Sequence, residues 1–194
     1  MTQRLLKVSH QPFDYQYLKG LYGDYRYPRN KISKLLRSGE IIALKSGLYV
    51  LSGQFGRPLV LEQVANLLYG PSYVSLDYAL AYHGLIPEKV YGISSVCIGR
   101  KKIFETAVGR FVYQQLKPDY YRVGYSLKNS DGHGYLMASP EKALCDKLYF
   151  ADAIASLQEM EQYLFDDLRI DSLSLENFDR GLVSTGGDFR KAKP

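Results

Sequence analysis

Tryptophan is absent from this 194-residue chain, cysteine occurs twice and histidine three times. Cys97 and Cys145 lie far apart and form no Cys-x-x-Cys pair, so neither a disulfide scaffold nor a zinc site is expected. Two reduced thiols fit a cytoplasmic protein. His10, His83 and His133 show no metal-ligand spacing, and no metal or cofactor is called for. No run approaches the ~18 apolar residues of a membrane span. Met1–His10 is mixed and polar, without the apolar stretch of a signal peptide. The expectation is a soluble protein with no membrane partner.

What the chain does have is apolar and aromatic material: 46% hydrophobic residues and 18 tyrosines. That suffices for one domain, or for a small one and a medium one. The net charge is +5, and its placement is uneven. Residues 1–57 hold 10 Lys/Arg against 3 Asp/Glu, a net of +7, whereas residues 58–194 hold 15 against 17, a net of −2. An asymmetry of this size points to a polyanionic partner for the first segment.

The pattern of elements divides at the same place. Pro12–Lys19 reads as a short helix, and Asn30–Ser38 as a second, with Ile32, Leu35 and Leu36 as its apolar stripe and Gly39 as its stop. Two β-prone runs within Glu40–Leu51 flank Lys45-Ser46-Gly47 and predict a hairpin. Helix, turn, helix and hairpin in about fifty residues is the outline of a winged helix-turn-helix. Gly53–Pro58 reads as a linker. Beyond it, Leu59–Tyr69 and Ser75–His83 are helical, the second with Ser75 able to cap it. Strand-like stretches cover Val90–Ile98, Gly109–Leu116, Tyr120–Leu127 and Gly134–Ala138. Ser139-Pro140-Glu141 opens a helix with a capping Ser, Pro at the first position and an acid in the first turn. Further helices fill Ala151–Leu168 and Leu173–Phe178, and Gly186–Pro194 is a polar tail. The fold class is therefore α+β: a winged helix-turn-helix over residues 1–57, then a mixed α/β domain over 58–194 with an antiparallel sheet and flanking helices.

The second helix carries the candidate site. With Ile32 at the centre of the inward face and 100° per residue, Asn30, Lys34 and Arg37 fall near the opposite face. Lys31 and Ser33 lie on its shoulders, and Arg29 lies where the helix begins. Arg and Lys donate to guanine edges or phosphates, Asn bonds adenine in two places, and Ser bonds a backbone oxygen. There is no acid between Lys31 and Gly39. Lys45 and Ser46 sit at the hairpin tip, where a wing touches the flanking backbone. The expected partner is double-stranded DNA.

Other constellations are incomplete. Ser139-x-x-Lys142 matches half of a penicillin-binding signature, without its Lys-Thr-Gly partner. Glu141 and Asp146 lack the Asp and Glu-x-Lys of a metal nuclease, and Lys142 with Asp146 reads as an i,i+4 surface pair. No catalytic residue is expected. Gly99-Arg-Lys-Lys102 lacks the glycine spacing of a phosphate-binding loop. It reads as a solvated hairpin tip or as a second nucleic-acid contact.

Three stretches occur in order: Lys45-Ser-Gly-Leu-Tyr49, then Pro71-Ser-Tyr-Val-Ser-Leu-Asp-Tyr-Ala-Leu-Ala-Tyr-His-Gly-Leu-Ile86, then Ser139-Pro-Glu-Lys-Ala-Leu-Cys-Asp146. Together, over about Asn30 to Phe150, the chain resembles the antitoxin component of AbiE-type (type IV) toxin–antitoxin systems, which are regulators of phage defence. The resemblance implies an N-terminal winged helix that represses its own operon at inverted repeats. It also implies a C-terminal domain that counteracts a nucleotidyltransferase toxin without a stable complex. Two other classes remain open on the residues alone: a nucleic-acid-processing enzyme with a basic targeting module, and an interaction protein whose basic segment meets an acidic protein.

Overall fold

Four consecutive apolar residues, Leu48-Tyr-Val-Leu51, cannot all face one side of a strand, and each side of this strand buries its own pair. The computed structural model describes residues 3–8, 12–53, 59–151, 154–176 and 178. In it the strand is the centre of a three-stranded antiparallel sheet of β1 (Phe13–Asp14), β2 (Ile41–Lys45) and β3 (Leu48–Leu51), in the order β1-β3-β2. Tyr49 and Leu51 join a small core with Leu5, Leu18, Ile32 and Leu35. Leu48 and Val50 join the large core of the rest of the chain, together with Leu44. The register with β3 shifts between Ala43 and Lys45, leaving Leu44 out of the pairing.

The small core is closed by a 3-10 turn (Gln3–Lys7), α1 (Tyr15–Leu21) and α2 (Pro28–Arg37). The first helix begins three residues later than its apolar spacing predicts. Phe13 and Asp14 pair with β3 instead, and the Asp14 carboxylate caps α1 by accepting from the Tyr17 amide at 2.7 Å. The second helix begins earlier than expected, because Pro28 supplies its first turn with the φ a helix needs. It ends at Gly39, where φ is +68 and the Gly39 and Glu40 amides return to the Leu36 and Leu35 carbonyls.

The remainder comprises α3 (Leu61–Leu68), β4 (Ser72–Val74), α4 (Leu76–Tyr82), β5 (Ile93–Cys97), β6 (Lys102–Thr106), β7 (Gly109–Gln115), α5 (Pro118–Tyr121), β8 (Tyr125–Ser130), β9 (His133–Ala138) and α6 (Pro140–Phe150). Then follow α7 (Leu157–Gln162), running into a π-helical turn (Tyr163–Asp167), and α8 (Ser172–Glu176). The chain is thus mixed α+β, with eight α-helices and two sheets among the described residues. No helix there is long and apolar enough to cross a membrane. Most of the Gly53–Pro58 linker, His10 and the Gly186–Pro194 tail lie outside the described residues.

The large sheet has the order β6-β7-β5-β4-β9-β8. It is mixed, correcting the expectation of an antiparallel sheet: β5 runs parallel to β7, and β4 parallel to β9. The cause is β6, which begins at Lys102, inside what reads as a basic loop. It forms a hairpin with β7, so β7 returns parallel to β5. On this sheet α3 packs against β4 and β9, and α4 against α6 and β5. Asn66 of α3 serves as an extra rung for β9, its amide donating to the Leu136 carbonyl at 3.4 Å and accepting from the Leu136 amide at 2.5 Å.

A second correction concerns Lys142 and Asp146. They form an ion pair at 2.8 Å, but it is buried, with residue exposures of 6% and 1%. The inner end of α4 and β4 supplies what that burial requires. Tyr73 Oη donates to Asp146 Oδ2 at 2.9 Å and Ser75 Oγ donates to the same oxygen at 2.7 Å. Lys142 Nζ also donates to the Tyr120 carbonyl at 2.5 Å. Ser75 therefore does not cap α4 with its side chain. Ser94 does so from β5: its hydroxyl accepts from the Tyr78 amide at 3.1 Å and donates to the Ser75 carbonyl at 2.7 Å. Leu76, at φ +58, carries the tight turn between them. Ser139 does cap α6 as expected, accepting from the Lys142 amide at 3.2 Å.

Two stability outcomes follow. Asp146→Asn leaves the Lys142 ammonium buried without its counter-charge, and should cost about 3–5 kcal/mol in urea unfolding. Removing both charges, Lys142→Met with Asp146→Asn, should cost clearly less than the two single changes summed. A D146N variant within error of wild type would show that the pair is not buried in solution. Gly124 has φ +80, and an added Cβ would lie 2.8 Å from Lys142 Cβ. Gly124→Ala should therefore exceed the about 1–2 kcal/mol of the backbone conformation alone, read as a lower melting temperature.

Candidate nucleic-acid interface

The two faces of α2 divide as the 3.6-residue period dictates. Ile32 and Leu35 are buried against β2 and β3, and Leu36 is partly buried. Arg29, Asn30, Ser33, Lys34 and Arg37 are exposed. Ser33 Oγ donates back to the Arg29 carbonyl at 3.0 Å, and Arg37 Nε donates to the Ser33 carbonyl at 3.4 Å. These contacts tie side chains to their own helix and leave most donors facing water. Lys31 is half-buried, its ammonium 5.8 Å from the centre of the Tyr22 ring. Six of the eight residues singled out in the sequence thus lie along one helix, five of them open to solvent.

Neutralisation decides whether such a face has a field. The first 57 residues contain three acids, Asp14, Asp24 and Glu40. Asp14 caps α1, Asp24 pairs with Arg4, and Glu40 accepts from the Ser38 hydroxyl at 3.0 Å. Arg29, Lys34 and Arg37 form no ion pair with any acid among the described residues. Asp24 is thus paired away from α2, and Arg29, Lys31, Lys34 and Arg37 give that helix four cations and no acid.

The hairpin tip is tied to the rest of the chain. Lys45 lies at the end of β2, but its ammonium reaches the C-terminal end of α3 and donates to the Leu67 and Leu68 carbonyls at 3.0 and 2.7 Å. Burial, and then the charge of Lys102, lower its pKa. Lys45 thereby joins the small sheet to the large core while remaining exposed, as Ser46 beside it is. The Gly47 carbonyl of the same turn accepts from the Tyr15 amide at 3.0 Å, fixing the hairpin to the start of α1.

Two residues ahead of the expected helix, Arg26 and Tyr27, adjoin the same surface. Tyr27, 59% exposed, immediately precedes α2, and the Arg26 guanidinium lies 5.3 Å from its ring centre. The run Tyr25-Arg-Tyr-Pro28 was the available signal: an exposed aromatic beside a cation ahead of a basic helix presents a flat ring and donors together.

The polar groups of the large core are of another kind. Ser75 and Asp146 are almost wholly enclosed, out of reach of a substrate. Burial raises the Asp146 carboxyl, opposed first by the Lys142 ammonium and then by the hydrogen bonds from Lys142, Ser75 and Tyr73. Cys97 and Cys145 are free and buried, and burial pushes both thiols up, Cys145 to about 11. Thiols held protonated are poor nucleophiles. His83 bonds the Ala138 carbonyl at 2.9 Å, fixing the end of α4 to β9.

On α2, guanidinium, ammonium, amide and hydroxyl groups converge without a carboxylate among them, which is equipment for holding an anion. No protein-family model matches the chain, and no curated protein is significantly similar to it.

Proposed function

We propose that this chain is a DNA-binding transcriptional regulator that reads its operator with α2. The observation that carries the proposal is the exposed face of Arg29, Asn30, Ser33, Lys34 and Arg37, whose cations form no ion pair with any acid among the described residues. The element order supports it. A first helical turn, β1, α1, α2, β2 and β3, with the sheet ordered β1-β3-β2, is compatible with a winged helix-turn-helix. In that reading α2 enters the major groove, Tyr27 and Arg26 lie at its N-terminal end, and the β2–β3 turn with Ser46 lies beside the flanking backbone. Residues 1–57 bind DNA, and residues 58–194 form the second domain.

The finer reading is an autorepressor and antitoxin of a type IV toxin–antitoxin system, acting against a nucleotidyltransferase toxin without a stable complex. It rests on the resemblance of three motifs. The geometry adds that two of them meet: Tyr73 and Ser75 of the second bond Asp146 of the third. A nucleotidyltransferase gene beside this one, and co-expression with its product, test this part. Rescue of growth supports the antitoxin, and persistent toxicity with the chain present and folded rejects it.

DNA binding is tested on the full chain with a duplex from upstream of its own gene and a scrambled duplex. If about five phosphates are contacted, log affinity should fall with log salt at a slope of about −4 to −5. Affinity indifferent to salt would exclude this mode. Arg37→Ala should lower affinity for the upstream duplex by ~1–3 kcal/mol if Arg37 pairs with a guanine, and by less for the scrambled one. Lys34→Ala should weaken both about equally if it meets a phosphate. Wild-type affinity in both variants would mean that α2 is not the reader.

A further inference from the structure

Arg100, Lys101 and Lys102 follow one another at the turn from β5 to β6, all three exposed. None forms an ion pair with an acid among the described residues. The nearest acid along this hairpin, Glu105, pairs with Arg110 at 3.0 Å towards the opposite end of β6. The turn is therefore uniformly positive.

Its position matters as much as its charge. Lys102 Nζ lies 5.3 Å from the centre of the Tyr69 ring and 5.2 Å from that of Phe104. Gly99 rests directly on Tyr69, since an added Cβ would lie 2.5 Å from the phenol oxygen. Tyr69 is the residue after α3, and the last two carbonyls of α3 are those that hold the Lys45 ammonium. The β5–β6 turn and the β2–β3 hairpin thus meet at one point, the C-terminal end of α3. That helix end contributes roughly half a negative charge. Against it stand Lys45, Arg100, Lys101 and Lys102, so the junction stays strongly positive.

We propose that the β5–β6 turn is a second phosphate-contacting surface, on which Arg100 and Lys101 hold the backbone of a DNA duplex running past the β2–β3 hairpin. The contact extends the footprint from the small module onto the large sheet and carries no sequence information. It rests on the DNA-binding reading of α2, whose partner it shares. Lys102 and Gly99 position the turn against Tyr69, while Arg100 and Lys101 supply the free donors.

The experiment uses the full chain and a 40-bp duplex of mixed sequence, titrated by fluorescence anisotropy over a range of salt. Arg100→Ala with Lys101→Ala should weaken binding by about tenfold or more near 0.1 M salt and make the log–log slope shallower by about 1.8, two phosphates' worth. The loss should be the same on the duplex from upstream of the gene. A second variant, Arg100→Gln with Lys101→Gln, keeps side-chain bulk and should behave alike, with unchanged melting temperatures in both. If both variants bind with the wild-type slope while Lys34→Ala with Arg37→Ala loses affinity, the turn is not a contact and the α2 reading stands. If the turn variants lose affinity and the α2 variant does not, the turn stands and α2 is not the reader. A wild-type chain that binds neither duplex overturns both.

Discussion

A carboxyl group in an apolar interior is stable only where donors replace the water it has lost, and Asp146 obtains three from three different elements. Lys142 comes from the same helix, Tyr73 from β4 and Ser75 from the turn into α4. That one side chain therefore sets the position of α6 relative to the sheet and to α4. The surrounding aromatic groups follow from it. Tyr73 lies parallel to Tyr125 at 4.7 Å between ring centres and tilted against Tyr121 at 5.0 Å, so the ring whose hydroxyl anchors Asp146 also packs α5 and β8. Gly124 is fixed by the same arrangement, because Lys142 runs over it with no space for a side chain.

The second constraint is β3, buried on both faces. A strand shared by two cores makes the small module part of a larger packing problem. Leu48 and Val50 belong to the large core and Tyr49 and Leu51 to the small one, one residue apart. Lys45 strengthens the junction with two hydrogen bonds to α3. Any shift of α3 is therefore transmitted to the hairpin, and through the Gly47–Tyr15 bond to the start of α1. The proposed reading surface is thus held by the large sheet as well as by its own core.

Local signals were legible. The Ser139-Pro-Glu cap, the Gly39 stop, the hairpin at Lys45–Gly47 and the inward Ile32 and Leu35 all depend on neighbours within a few residues, and the structure has them where the sequence puts them. The legibility of the candidate site has the same origin, since the outward face of α2 follows from helical period alone. What escaped depends on distant partners. A Lys and an Asp four residues apart look identical on a surface and in a core. The difference here is made by Tyr73 and Ser75, some seventy residues earlier. Ser94 takes the capping role expected of Ser75 for the same reason: only the β4–β5 pairing brings its hydroxyl to the end of α4. The parallel pairings were hidden because β6 opens on the last of three consecutive cations, which read as a loop, and without β6 the neighbouring strands read as a simple hairpin.

The fate of Lys45 shows how the two constraints bear on each other. A lysine at a hairpin tip is a natural phosphate contact when the hairpin projects freely, as a wing does. Here the hairpin lies against α3, and the orphan carbonyls at that helix end are themselves acceptors that need a donor. Two carbonyls at 3.0 and 2.7 Å take two of the three ammonium donors and hold this exposed side chain in place, so one donor is left for an external anion. The positive charge that a wing would place at its tip is then carried one step further along the surface. There Arg100 and Lys101 remain exposed while Lys102 lies against Tyr69 and Phe104. Packing the small module onto the large sheet fixes one cation of the proposed interface in place and brings a cationic turn beside it in the same contact.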